Sequence, residues 1–143
     1  MNNIAAVERV LDRVLMQDVE SVLDLVDERV ELMVLSPQRG HAPPEIVRGR
    51  RAVTEYFERQ GGIAAFWNLW LEADEDRVLV FGRESYTTTC ELEAESDFAL
   101  VFELRKGVIV RILAVEDLPP SLRPTTFSRR PLHRCDGLLQ RTA

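Results

Sequence analysis

The stretch "VRGRRAVTEYFERQGG", residues 47–62, decides the fold, because it predicts one short helix with a definite start and stop. Gly49 suits the N-cap position. Tyr56 and Phe57 would lie on the side of the helix that packs against the rest of the protein. The two glycines at 61–62 end the helix, since glycine readily adopts the backbone conformation that follows a helix.

Two further helices are predicted before this one. Apolar residues recur at helical spacing over residues 4–17, and Asn3 is the expected N-cap. Asp18 then begins a second short helix, which runs through Val26. Both helices have one apolar side and one charged side, as expected for helices that cover a sheet.

A strand and a loop separate the second helix from the third. The sequence "RVELMVLSP", residues 29–37, predicts the strand. The segment "QRGHAPPEI", residues 38–46, is predicted to hold no regular element, because Pro43 and Pro44 lack amide donors and favour extended neighbours.

After residue 62 the apolar residues follow a period of two, which indicates strands. Short turn signals "DED", "ES" and "RKG" separate four such segments, so consecutive strands should be antiparallel. The segments are "FWNLWLEA", "RVLVFGRESYTTTCELEA", "SDFALVFEL" and "VIVRILAVEDL". The prediction is an α+β domain in which three N-terminal helices cover one face of a curved, mainly antiparallel sheet.

Length and charge narrow the classes of function. The 143 residues suffice for one domain, and no segment predicts a membrane span or a secretion signal, so we expect a cytoplasmic protein. A net charge of −6 argues against nucleic-acid and membrane partners. Cys90 and Cys135 lack metal-site or redox spacing and are expected to be thiols. No motif indicates a metal or another cofactor.

The last 25 residues, 119–143, differ from the body at 1–118. This segment contains five arginines but only one aspartate, and four prolines interrupt it. We expect a basic tail outside the sheet, either docked on the acidic body or disordered.

Three segments in this order resemble the nuclear-transport-factor-2-like superfamily, and within it the SnoaL-like domains of ketosteroid isomerases and polyketide cyclases. They are "MQDVESVLDLVDERVELMV", "VRGRRAVTEYF" and "FALVFELRKGVIVRILAVEDL". The resemblance spans about residues 4–118. It implies a cone-shaped barrel with an apolar cavity, and a homodimer formed through the outer face of the sheet.

Nine side chains are candidates to line that cavity, and Trp67 is an alternative to Trp70. The nine are Val14, Tyr56, Phe57, Trp70, Arg83, Glu84, Phe98, Leu100 and Phe102. Any one of the apolar candidates has an alternative role as ordinary core packing. For the polar pair the alternation along the strand leaves two choices, and the large Leu79 and Phe81 favour Arg83 inward over Glu84. A buried Arg83 would need Asp97 or Glu116 as its partner, or an anionic ligand, and at most one of Arg83 and Glu84 would anchor a ligand. The alternative role of both residues is an ion pair across strands or at a dimer interface.

The resemblance also implies where catalytic groups of known members would fall. The isomerase base falls near residues 32–34, its tyrosine near Val10 and its acid near Leu100, and the second aspartate of epoxide hydrolases falls near Ala114. None of these residues can ionise. The paired histidines of scytalone dehydratase have no counterpart either, because His41 lies in the proline-rich loop and the other histidine in the tail.

Two functions of different class remain open. One is a small-molecule binding protein or atypical enzyme that holds a hydrophobic ligand, oxygenated or not, in the cavity. The other is a homodimerisation or accessory module whose cavity is filled by side chains. The volume of the cavity and the polar groups in its wall distinguish them.

Overall fold

The computed structural model describes residues 2–16, 18–36, 43–59, 63–87, 93–118 and 138–140. It contains two α-helices, one 3₁₀ helix and seven strands. The helices are α1 (Asn3–Leu15), the 3₁₀ helix η1 (Val19–Leu25) and α2 (Arg50–Arg59). The strands are β1 (Val26–Leu35), β2 (Glu45–Arg48), β3 (Ile63–Asp74), β4 (Arg77–Thr87), β5 (Glu93–Arg105), β6 (Val108–Val115) and β7 (Leu138–Gln140).

The strands form one sheet in the order β2-β1-β6-β5-β4-β3-β7. Only β1 and β6 run parallel among these neighbours, and every other adjacent pair is antiparallel. The apolar sides of α1 and α2 pack on one face of this sheet, which we call the inner face. The prediction of an α+β fold with helices on a curved, mainly antiparallel sheet is confirmed.

The helix nearest the N-terminus starts one residue earlier than expected. Asn2, not Asn3, is the N-cap of α1, and its side-chain oxygen accepts a hydrogen bond of 2.7 Å from the Ala5 amide. The second predicted helix is a 3₁₀ helix rather than an α-helix, and the Asp18 side chain makes no capping hydrogen bond. Its seven residues make it longer than most 3₁₀ helices, and it connects α1 to the first strand.

The helix α2 begins as the sequence predicts. Gly49 has a φ of +94°, a conformation that costs glycine little because it has no Cβ. Its amide donates to the Val30 carbonyl at 2.8 Å, and its carbonyl accepts from the Val53 amide at 3.0 Å. The first bond fixes the helix start to β1, and the second is the first turn of α2.

The prediction that residues 38–46 hold no regular element is wrong at its end. Glu45 and Ile46 belong to β2, which pairs with β1 from Glu31↔Arg48 to Val34↔Glu45. Pro43 and Pro44 precede this strand, so their missing amides interrupt no hydrogen bond within it. Residues 37–42, with His41, lie outside the described residues.

Two other boundaries differ from the sequence prediction. The "ES" pair at 95–96 is not a turn but part of β5, where Glu95 pairs with Ser85 and Ser96 with Glu84. The connection from β4 to β5 therefore falls within 88–92, which lies outside the described residues and contains Cys90. Strand pairing outweighs the polar composition of these two residues.

The expectation that the whole tail stays outside the sheet is wrong for residues 138–140. These residues form β7, which pairs with β3 at Phe66↔Leu139. They contain no proline, so their amides are available to the free edge of β3. Residues 119–137 and 141–143, with Cys135 and His133, lie outside the described residues.

No helix in the described residues is long and apolar enough to cross a membrane.

Candidate functional site

A cavity of about 70 Å³ lies between the inner face of the sheet and the helices α1 and α2. Most of its wall is aliphatic or aromatic, and the rest is carboxylate and phenol. Its lining residues are Val10, Leu11, Val14, Tyr56, Phe57, Phe66, Glu84, Phe98, Leu100, Phe102, Ala114, Val115 and Glu116.

The structure brings together seven of the nine side chains singled out from the sequence. These are Val14, Tyr56, Phe57, Glu84, Phe98, Leu100 and Phe102. Trp70 and Arg83 do not line the cavity. Trp67 lies in β3.

The alternation along β4 decides which polar side chain faces the cavity. Val78 and Val80 are fully buried in the core, so even-numbered residues of this strand face inward. Gly82 continues the pattern, because a Cβ there would lie 2.5 Å from Leu69 Cδ2 and 2.9 Å from Phe98 Cζ. Glu84 is the next residue on this face, and it lines the cavity.

Arg83 therefore faces the opposite side of the sheet, which we call the outer face. Its guanidinium lies 3.2 Å from the Asp97 carboxylate and 3.3 Å from the Glu95 carboxylate. The expectation that Arg83 faces inward is wrong. It rested on the large apolar side chains of Leu79 and Phe81, but these two residues lie on the outer face together with Arg83.

Trp70 also lies on the outer face. A register shift in the β3–β4 pairing between Trp67 and Trp70 changes which residues of β3 point inward. Leu69 and Leu71 belong to the core, whereas Trp70 between them packs against Phe81, with ring centroids 5.8 Å apart.

Glu84 has the most perturbed environment in the cavity. Its pKa is raised from 4.5 to about 7, and the largest cause is burial, which removes water from the carboxylate. The negative charges of Glu116 and Asp117 contribute to the same rise, and a hydrogen bond from the Ser96 hydroxyl at 3.5 Å opposes it. Near neutral pH this carboxyl group is present in both protonation states.

Glu116 joins three parts of the fold at the cavity wall. One carboxylate oxygen accepts a hydrogen bond of 3.1 Å from the Tyr56 hydroxyl, and the other accepts one of 3.3 Å from the Ser36 hydroxyl. The Glu116 amide donates to the Leu35 carbonyl at 2.8 Å. Asp117 follows with a φ of +49°, so the chain turns directly after Glu116. These contacts hold the carboxylate beside α2.

Several solved structures share this arrangement of helices and strands. A nuclear-transport-factor-2-like protein from Burkholderia xenovorans LB400 is 19% identical, with a TM-score of 0.65 over 80% of this chain and 88% of that chain. A candidate polyketide cyclase from Xanthomonas campestris pv. campestris is 18% identical, with a TM-score of 0.64 over 79% and 88%. TerC, crystallised with polyporic acid, is 22% identical, with a TM-score of 0.66 over 80% and 91%.

The chain has the nuclear-transport-factor-2-like fold. The resemblance to SnoaL-like domains is confirmed at the level of the fold, since a SnoaL-like structure from Jannaschia sp. CCS1 superposes with a TM-score of 0.65 at 12% identity. No protein-family model and no curated protein sequence matches the chain.

Within this nuclear-transport-factor-2-like fold, the positions expected for the catalytic groups of known members are apolar. Val10, Leu100 and Ala114 line the cavity, and Leu32 is fully buried. The groups that can exchange protons come from other positions, namely Glu84, Glu116 and Tyr56.

Sequence reasoning identified only part of this group. Tyr56 was identified for its ring and not for its hydroxyl, and Glu116 only as a partner for Arg83. The sequence signal that could have identified Glu116 as a cavity residue is its position directly after β6. The parallel pairing of this strand with β1 places Val115 beside Leu35. Among the residues that the structure describes, the cavity wall thus has three polar groups, whereas the sequence led us to expect at most one polar anchor.

Proposed function

We propose that the chain binds a small hydrophobic molecule in the cavity and that Glu84 exchanges a proton with it. The observation that carries this proposal is a buried carboxyl group with a pKa of about 7 in a wall that is mostly aromatic and aliphatic. A general acid or base works best when its pKa lies near the working pH. A merely structural glutamate on an inner sheet face would be expected to have a cationic partner.

Binding energy in this site comes mainly from apolar area, at roughly 25 cal/mol per Å² removed from water. Phe98 and Phe66 form one aromatic wall, with ring centroids 5.3 Å apart. Tyr56 and Phe57 form another, with centroids 5.8 Å apart and nearly perpendicular rings. The cavity volume of about 70 Å³ suits a ligand of a few heavy atoms.

Two structural neighbours support a small-molecule role for this fold. TerC was crystallised with polyporic acid, and the Xanthomonas protein is a candidate polyketide cyclase. Both are less than 25% identical to this chain, so they bear on the fold and not on the choice of ligand.

A matched pair of variants on β5 tests the proposal. Leu100→Phe adds a ring inside the cavity, whereas Val101→Phe adds the same ring at the next residue, which does not line it. A set of uncharged compounds with four to eight heavy atoms is titrated into each protein and followed by methyl NMR. We expect compounds that shift cavity methyl groups in the wild type and in Val101→Phe but not in Leu100→Phe. Equal binding by both variants, or no binding to the wild type, would contradict the proposal.

A second candidate function is a homodimerisation module with a filled cavity, favoured by the volume of about 70 Å³, well below the ~300 Å³ at which typical ligand pockets begin. An apolar row crosses four strands of the outer face, through the cross-strand partners Leu79, Val101, Leu113 and Met33. All four side chains are half-buried in the single chain. A second copy of the chain would cover this row.

Sedimentation velocity at micromolar concentration tests the dimer. We expect twice the chain mass of 16.4 kDa, and Val101→Glu should shift the protein to the single-chain mass. A wild-type protein that sediments as a single chain would exclude the dimer, and with it the dimerisation module.

A further inference from the structure

The charged side chains that line the cavity, among the residues that the structure describes, are all acidic. Glu84 and Glu116 are in its wall, and Asp117 acts on Glu84 from the end of β6. No arginine, lysine or histidine is among the lining residues that the structure describes. The nearest basic residue along the strand, Arg83, is on the outer face and paired with Asp97. A ligand with a negative charge would therefore meet repulsion and no compensating partner.

The aromatic rings of the wall add a second electrostatic preference. Tyr56 and Phe57 both line the cavity that contains the two carboxylates, and aromatic faces attract cations, more strongly where water is excluded. The Tyr56 hydroxyl donates to Glu116, so its hydrogen is turned toward the carboxylate. Carboxylates together with aromatic rings are a setting in which a cation can be buried.

We propose that the ligand of this cavity is a small aliphatic amine, bound as its ammonium ion between the carboxylates of Glu84 and Glu116 and the rings of Tyr56 and Phe57. This inference rests on the proposed function, because it names the class of molecule that the cavity takes. The ammonium ion replaces the proton that Glu84 otherwise holds, and the aliphatic part occupies the apolar wall around Phe98 and Leu100.

The size of the cavity limits the aliphatic part. A cavity of about 150 Å³ lined by apolar residues holds a benzene molecule. The cavity here has about half that volume, about 70 Å³. A branched chain of three or four carbons fits this space better than an aromatic ring, which makes isobutylamine a suitable probe.

Three probes of equal shape separate charge from fit. Isobutylamine, isobutanol and isobutyrate are each titrated into the full chain at pH 8 and followed by methyl NMR. We expect isobutylamine to bind at least tenfold more tightly than isobutanol, and isobutyrate not to bind. Equal affinity for the amine and the alcohol, or preference for isobutyrate, would overturn the amine inference while leaving the proposed binding site intact. Binding of none of the three would overturn both.

The pH dependence of amine binding gives an independent measure. A proton and the ammonium ion compete for Glu84, which is faced by Glu116 and Asp117 as charges and by Ser96 as a hydrogen-bond donor. With a pKa of about 7, affinity should fall about tenfold from pH 8 to pH 6. Glu84→Gln should bind the amine weakly and without this dependence. Glu45→Gln, at an exposed carboxylate outside the cavity, should behave as the wild type.

A second variant keeps the test independent of Glu84. Phe57→Leu retains an apolar side chain at a half-buried position but removes the ring. We expect it to weaken isobutylamine binding by a several-fold larger factor than isobutanol binding, because both probes lose apolar contact with the ring but only the cation interacts with the ring face. An equal loss for both probes would contradict the ring's part in cation binding.

Discussion

Arg83 and Glu84 are adjacent on β4, yet the two faces of the sheet give them opposite surroundings. Arg83, on the outer face, lies within 3.3 Å of two carboxylates, and Asp97 is buried beneath it. Glu84, on the inner face, accepts a hydrogen bond from the Ser96 hydroxyl and lies near the negative charges of Glu116 and Asp117, and its pKa rises to about 7. A charge whose partner is supplied by the fold is structural, whereas a charge left without a counter-ion in an apolar cavity is available to a proton or a ligand.

The outer face repeats this compensation across the sheet. One row of cross-strand partners alternates in sign over five strands, and ion pairs of 3.2 Å join Arg111 to Glu103 and Arg48 to Glu31. The row consists of Arg77, Glu103, Arg111, Glu31 and Arg48. These pairs are partly exposed and contribute little stability each, but they place charges of opposite sign beside each other on that face.

The largest contrast between the faces is expected for apolar truncation. Phe102→Ala removes a ring that is 1% exposed in the core, and should lower the free energy of unfolding by about 4 kcal/mol. Val101→Ala, the neighbouring residue on the outer face, should cost about 1 kcal/mol in the single chain. Urea unfolding of both variants measures the difference. Equal losses would mean that the outer face is as tightly packed as the inner face.

A smaller effect is expected from the pH dependence of stability. Because the pKa of Glu84 is raised from 4.5 to about 7 on folding, the folded state loses stability as pH rises between these values. The loss should be about 2 to 3 kcal/mol between pH 5 and pH 8. Glu84→Gln cannot ionise and should lack this component, so it should become more stable than the wild type as pH increases.

The control for this prediction is Glu45→Gln, which removes an exposed carboxylate and should follow the wild-type pH profile. If the wild type and Glu84→Gln have parallel unfolding free energies from pH 5 to pH 8, Glu84 ionises in the folded protein as it does in water.

The ion pair on the outer face should have an intermediate effect. Arg83→Ala leaves the Asp97 carboxylate, 7% exposed, without its guanidinium partner, and should cost about 2 kcal/mol. The value is below that for a fully buried pair because the Arg83 side chain is 31% exposed. Arg83→Ala combined with Asp97→Asn should recover part of the loss. A double variant less stable than Arg83→Ala alone would contradict this account.

The smallest effect is expected at Gly82. An alanine methyl group there would displace Leu69 and Phe98, which should cost about 1 to 2 kcal/mol and move the Phe98 ring into the cavity. Thermal unfolding measures the cost, and methyl NMR of Leu100 reports the ring movement. Unchanged stability would mean that the residues around Gly82 can rearrange freely.

The fold was predictable from the sequence because its main elements carry strong local signals. Gly49 and the apolar side of α2 define that helix, and residues 63–118 have the period of strands. The errors fall where tertiary pairing outweighs local composition. Glu45 and Ile46 pair with β1 despite the prolines before them, and residues 95–96 pair with β4 despite their polar character.

The candidate site was only partly predictable for a different reason. Apolar residues on α2 and β5 reach the cavity because both elements were placed correctly. The assignment of Arg83 to the inner face failed because both faces of β4 carry large apolar side chains, so hydrophobicity does not distinguish them. The close approach of Gly82 to Leu69 and Phe98 shows which face of β4 is the inner one, but this contact is visible only in the three-dimensional structure.

A titration of Glu84 shows whether the cavity holds an uncompensated carboxyl group. The carboxyl ¹³C resonance of Glu84, assigned by its loss in Glu84→Gln, is followed from pH 3 to pH 10 in the intact chain. We expect a titration midpoint near 7, well above the value of 4.5 for an unperturbed glutamate. A midpoint near 4.5 would show that the carboxylate is solvated or has a cationic partner, and would contradict both the proton-exchange role and the uncompensated charge of the cavity.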